Sequence, residues 1–146
     1  MYRVLSAGDA FWRPSNQMKV ENTDLAAQLE AETVGARLWR LHPGQASTKH
    51  RHFDMHELYI LLEGEGRMRI DDELITLEPL SAVLVEPAHV RQVFNDAAED
   101  ALWLIVGAPR EGVSSTLEMS MEQLAAMYPD GPKALPPELG GGQFDG

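Results

Sequence analysis

The 146-residue chain has no cysteine. That absence removes disulfides, a thiolate nucleophile and any cysteine-based zinc or iron–sulfur site. Whatever metal chemistry exists must use nitrogen and oxygen ligands. Long apolar runs are also missing: nothing approaches the roughly 18 residues that a spanning helix needs. The N-terminus has no apolar stretch of secretory length, and acidic Asp9 follows closely. A cytoplasmic protein outside the membrane is therefore expected. Positive charge is scarce, with 12 basic residues against 23 acidic ones and a formal net charge of -11. Such a balance argues against nucleic acid or an anionic membrane as partner. The length gives room for one domain with one core of ordinary size.

What the chain does have is a crowded segment at residues 44–64. It places His50, His52, His56 and Glu57 within eight residues. In extended backbone side chains alternate faces, so His50 and His52 project the same way and can share one ion. The run from Glu57 to Leu62 is rich in Leu, Ile and Tyr and ends at Glu63-Gly64-Glu65-Gly66, a strand closing in a turn. With Glu57 pointing inward, two imidazoles and a carboxylate converge. That donor set suits iron, manganese, nickel or zinc and leaves positions open for water or substrate. His56 falls on the opposite face and is expected at the surface.

Gly44, His50, His52, Glu57 and Gly64 stand at the intervals of the first sequence motif of the cupin superfamily, which this segment resembles at every fixed position. The resemblance implies an all-β fold: a double-stranded antiparallel β-barrel, or jelly roll, with short flanking helices and a site in the barrel mouth. It also implies a homodimer.

Taken in order, residues 1–35 form an N-terminal arm and short helix, 36–113 the barrel core, and 114–146 a short helix and flexible tail. Phe11-Trp12-Arg13-Pro14 in the arm can cover a neighbouring subunit or pack on its own barrel. A helix is predicted from Thr23 or Asp24 to Ala31, capped at its start and broken by Gly35. Alternation over residues 36–42 predicts a strand ending at Pro43-Gly44. Residues 67–77 read as a hairpin turning at Asp71-Asp72. The continuously apolar Ala82-Val83-Leu84-Val85 reads as a strand buried on both sides. Strands follow at residues 90–94 and 102–106. Ser120 and Gln123 frame a capping box for a helix that stops before Pro129. Pro132, Pro136, Pro137 and Gly140-Gly141-Gly142 then suggest an extended, disordered end.

The second cupin motif is represented only by Asn95. Anchored there, Arg91 occupies the position of the usual histidine ligand, Ala88 and Leu80 those of two glycines, and Glu86 that of the proline. Either His89 replaces the missing imidazole, or Arg91 points into the barrel to pair with Glu57 or to hold a substrate carboxylate. Tyr59 shares the parity of Glu57 and is expected to line the pocket beside the substrate. The predicted metal ligands are thus His50, His52, Glu57 and His89, with Arg91 and Tyr59 as substrate contacts.

Three functions are consistent with this pattern. The first is a metal-dependent enzyme, dioxygenase-like or isomerase-like, acting on a small organic substrate. The second is a non-catalytic module binding an anionic small molecule, with Arg91 in place of the metal-ligand histidine. The third is a purely structural barrel, which has little reason to gather such ligands.

Overall fold

The computed structural model describes residues 1–111 and 119–146. Among these, nine strands form two antiparallel sheets: β1 (Arg13–Pro14), β2 (Glu21–Asp24), β3 (Gly35–Leu41), β4 (His56–Glu63), β5 (Gly66–Ile70), β6 (Glu73–Leu77), β7 (Ala82–Val85), β8 (Arg91–Phe94) and β9 (Ala101–Ala108). The large sheet runs β1-β2-β3-β9-β4-β7 and the small one β6-β5-β8. Two helices flank them, α1 (Leu25–Gln28) and α2 (Met121–Met127). This is the expected all-β, double-stranded barrel architecture with short helices.

Alternation decides the inner faces. On β4, Glu57, Tyr59 and Leu61 are buried while His56 and Leu58 face outward. Leu41, Leu61 and Trp103 of the large sheet meet Met68, Val93 and Phe94 of the small one in a single core. Burial of each such side chain contributes about 1.5–3 kcal/mol. The turn between β4 and β5 requires Gly64, whose φ is +85°, because a Cβ there would lie 2.2 Å from the Asp100 carbonyl oxygen.

Three expectations need correction. The apolar strand β7 is an edge strand with one face in solvent, and Leu84 is 64% exposed. The strand buried throughout is β8. An unbroken apolar run is compatible with either placement, and only neighbouring strands decide which face is covered. The predicted helix after Thr23 is a single turn, α1, capped by the Asp24 carboxylate accepting from Ala27 N; residues 21–24 pair with β3 instead.

The tail is not loose. Ala134 is buried, Leu135, Leu139 and Phe144 pack against the core, and Glu138 accepts hydrogen bonds from Arg69. Gln92 of β8 donates to the Ala134 carbonyl, so the tail helps to close over the small sheet. Its prolines and glycines shape turns and do not prevent packing. In the N-terminal arm, Arg13 and Pro14 pair with Asn22 and Glu21 at the sheet edge, and Phe11 is 68% exposed. No helix among the described residues is long and apolar enough to cross a membrane.

Candidate metal centre

Residues 44–52 run antiparallel to residues 87–95 and are held there by main-chain hydrogen bonds. Gly44 N donates to Asn95 O, Asn95 N to Gln45 O, Ser47 N to Val93 O and His52 N to Pro87 O. His50 and Arg91 exchange both bonds, His50 N to Arg91 O at 3.0 Å and Arg91 N to His50 O at 2.8 Å. Asn95 fixes the start of this segment, because its buried Nδ2 donates to Leu41 O and Glu99 O while its Oδ1 accepts from Ala97 N.

The two imidazoles stand edge to face, with ring centroids 4.9 Å apart. Each Nδ1 faces an acceptor: His50 the Thr48 carbonyl at 2.9 Å, and His52 the Glu111 carboxylate at 3.1 Å. Neither acceptor can donate, so both protons belong on Nδ1 and both Nε2 lone pairs are free. Those Nε2 atoms lie 3.5 Å (His50) and 3.0 Å (His52) from Glu57 Oε1. One ligand atom from each of the three residues falls within 4.8 Å of the others. Ligand atoms each about 2.1 Å from one ion, at right angles, stand about 3 Å apart, so the cluster has the dimensions of a coordination site. His52 Nε2 is buried and makes no hydrogen bond. An unpartnered imidazole lone pair beside a carboxylate is costly without a cation or proton between them, and this is the observation that fits a metal to the residues present.

The electrostatics agree. Burial opposes ionisation of Glu57, but the neighbouring His50 and His52 outweigh it and hold its carboxyl well below the usual range. Burial likewise opposes charge on His52, yet Glu57 and Glu111 raise its pKa above the ordinary value. Tyr59, pushed well up by burial and then by the Glu57 charge, stays neutral and donates to Glu57 Oε1 at 2.8 Å.

Glu111 was not foreseen. Its Oε1 accepts from the main-chain N–H groups of Phe53, Asp54 and Met55, while Oε2 meets His52. One side chain thus shapes the 53–55 turn and orients a ring, the role that a carboxylate behind a histidine ligand plays. Nothing in its local sequence marks it, since it lies 59 positions from His52.

Two predicted site residues are placed elsewhere. His89 is half exposed, with Nδ1 2.6 Å from Asp71 on the far side of the turn, and does not join the cluster. Its position two residues before Arg91 puts it in the loop ahead of β8. Arg91 does point inward, but its side chain is fully enclosed and does not line the cavity. Nη2 donates to the Glu86 carbonyl at 2.8 Å, and Nη1 stands 3.9 Å from Glu57 Oε1. Nη1 and Nε have no hydrogen-bond partner. Glu57 and Tyr59 line the cavity, with Arg91 behind Glu57. His56 is exposed, as expected.

The cavity above the cluster has a volume of about 320 Å³. Trp39, Ile105, Met55 and Met127 provide apolar wall, and Arg13, Arg37 and Arg110 line it too. Next to Glu57 its floor is made by Gly107, the cross-strand partner of that residue, and a Cβ there would come within 2.5 Å of the Met55 sulfur.

A two-sheet β-barrel with a two-histidine, one-carboxylate cluster in its mouth defines the class of protein. Residues 37–107 match the model of the Cupin domain family, and the chain belongs to the cupin superfamily. Its fold is similar to that of a sugar phosphate isomerase of the cupin superfamily from Silicibacter pomeroyi DSS-3, at 19% identity and a TM-score of 0.66, covering 74% of this chain and 76% of that one. It is similar to a predicted oxalate decarboxylase from Thermotoga maritima, at 19% identity and a TM-score of 0.65, covering 74% and 100%. A Cupin 2 conserved barrel domain protein from Salinispora arenicola CNS-205 aligns at 17% identity and a TM-score of 0.63, covering 74% and 89%. No curated protein matches the chain in a sequence comparison.

Proposed function

We propose that this protein is a metal-dependent enzyme that holds one divalent ion through His50 Nε2, His52 Nε2 and Glu57 and acts on a small organic molecule in the adjoining cavity. The observation that carries the reading is the buried, unpartnered Nε2 of His52 aimed at the Glu57 carboxylate. The ion would supply Lewis acidity toward a substrate oxygen, with positions left open by three protein ligands. The chain's own groups do the rest. Glu111 and the Thr48 carbonyl keep both Nδ1 protons away from the site. Tyr59 fixes the Glu57 oxygen, and Trp39, Ile105 and the methionines give the cavity an apolar wall.

The dimensions suit a metabolite, not a polymer, because the cavity sits at the lower end of the usual range for ligand pockets. The names of the similar isomerase and decarboxylase are compatible with small oxygen-rich substrates, although likeness of fold selects no reaction. The non-catalytic alternative built on Arg91 loses its anchor, since that guanidinium is walled off behind Glu57.

The test is metal content after purification without added metal or a nickel tag. About one iron, manganese, nickel or zinc per chain, lost in His52→Ala, is the expected result. A wild-type protein that neither retains metal nor binds any of these four ions in calorimetry would overturn the reading.

A further inference from the structure

The cavity has a second pole away from the histidines. Asn22 of β2 pairs with Arg13 of β1 on one side and Trp39 of β3 on the other, while Asp24 pairs with Arg37. Residues opposite one another share a sheet face, so Arg13, Asn22, Trp39, Asp24 and Arg37 all belong to the concave side. The guanidinium of Arg37 is held in a fixed direction: Nη1 donates to Asn22 Oδ1 at 2.8 Å and Nη2 meets Asp24 Oδ2 at 2.8 Å. Asn22, itself 2% exposed, donates to the main-chain oxygens of Arg13 and Val20, so it cannot swing away. Arg13 donates to Asn16 Oδ1 and Arg110 to the Ala31 carbonyl. Neither has a carboxylate within ion-pair distance among the described residues.

Charge makes this arrangement informative. In a chain of net charge -11, three arginines line one cavity. They offset the three carboxylates that also line it, Asp24, Glu57 and Glu111. A divalent ion on the histidines would then leave its own double positive charge uncompensated, and a neutral ligand would not supply the balance. Arg37 is separated from Tyr59 by Ile105 in one row across β3, β9 and β4, which sets the two poles about 10 Å apart at the backbone. Trp39 and Ile105 form the wall nearby.

We propose that Arg37 and Arg13, with Arg110 at the mouth, form an anion subsite that takes the carboxylate or phosphate group of a small metabolite whose other end faces His50, His52 and Glu57. The charge balance and the second half of this statement rest on the metal reading above; the subsite itself rests on the fixed Arg37 guanidinium beside Arg13 and Arg110. Arg37 is the positioned donor, offering the N–H groups left over from Asn22 and Asp24. Arg13 and Arg110, neither paired with a carboxylate among the described residues, add positive charge beside it. The ligand is of sugar-acid or sugar-phosphate size, with an apolar or ring portion against Trp39.

Binding of two probes, inorganic phosphate and malonate, to metal-free protein tests the subsite, read by Trp39 fluorescence and calorimetry against sodium chloride of equal ionic strength. Saturable binding in the millimolar range is expected, weakened at least tenfold in Arg37→Met and about threefold in Arg13→Met. The tighter probe identifies phosphate or carboxylate as the preferred group. Arg40→Met, on the opposite face of β3, should bind like wild type, and thermal midpoints confirm that each variant is folded. His52→Ala should keep the probe affinity, and a wild-type protein that binds a probe but no metal sinks only the metal reading. Absence of saturable binding by either probe, or equal affinity in folded wild-type and Arg37→Met proteins, overturns the subsite.

Discussion

Two segments lie against each other in the barrel mouth, residues 44–64 and residues 80–95, and they contribute in opposite ways. The first delivers side chains: His50, His52 and Glu57 converge within 4.8 Å. The second delivers mostly backbone and a buried cation. Its carbonyls at Pro87, Arg91 and Val93 hold the histidine segment in place, Asn95 clamps the loop, and Arg91 stands 3.9 Å from Glu57 where an imidazole would be expected. In this chain the position holds a charge within an intact hydrogen-bonded frame. The frame depends on main-chain groups, which every residue carries, whereas coordination depends on one side chain.

The largest effect should come from breaking the frame. Asn95→Ala removes donors from the Leu41 and Glu99 carbonyls and the acceptor of Ala97 N, all near a fully buried site. A loss of about 2–4 kcal/mol in denaturant unfolding is expected. A loss below about 0.5 kcal/mol would show that the loop is held by its main-chain bonds alone.

Next is the support behind the histidines. Glu111→Gln should weaken metal binding about 10- to 100-fold, measured by chelator competition, because the Nδ1 proton of His52 loses its charged acceptor. The pH dependence gives a second readout. Burial lowers the pKa of His52, but Glu57 and Glu111 together raise it above 6.5. Metal must displace that proton, so affinity should climb as pH rises through the raised pKa and level off beyond it. In Glu111→Gln the climb should move to lower pH. An unmoved profile would deny Glu111 its electrostatic role.

The exchange at position 91 comes third. Arg91→His removes a guanidinium that repels a dication and places an imidazole opposite His50, with which Arg91 forms a main-chain bridge. Metal affinity should rise about tenfold, or about 1.4 kcal/mol, in calorimetry. Unchanged or weaker affinity in a folded variant would mean that the position no longer reaches the site. Smallest is Leu80→Gly. Leu80 stands at φ 72° and is 81% exposed, so the left-handed conformation costs energy without a packing return. Relief of about 1–2 kcal/mol is partly offset by glycine's greater unfolded-state entropy. A net gain of about 0.5 kcal/mol in the denaturant midpoint is expected, and a loss would show that the exposed Leu contributes contacts of its own.

How much of the site was readable depended on sequence distance. His50 and His52 are two positions apart, so strand parity puts them on one face, and Glu57 joined them through the motif spacing in which the segment resembles cupins. Glu111 joins His52 across 59 positions, and Arg13 meets Asn22 through strand pairing at the sheet edge, so neither carries a local signal. Arg37 was within reach, because its alternation with Trp39 on β3 already placed both on one face. The choice between His89 and Arg91 turned on where β8 begins. With β8 starting at Arg91, that side chain turned toward Glu57, and His89 was left in the loop beside Asp71.

By itself the sequence determined the barrel, the histidine–histidine–glutamate cluster, the capped helix α2 and the hairpin of β5 and β6. Each follows from periodicity, turn residues or short spacing, which are properties of neighbouring residues. Only the tertiary structure decided that β7 is an edge, that the proline- and glycine-rich tail packs on the core, that Arg91 is sealed behind Glu57, and that three arginines share a cavity with the cluster. These facts depend on which strands become neighbours. Burial and electrostatic balance at any residue are set by groups distant in the chain, and no local pattern encodes them.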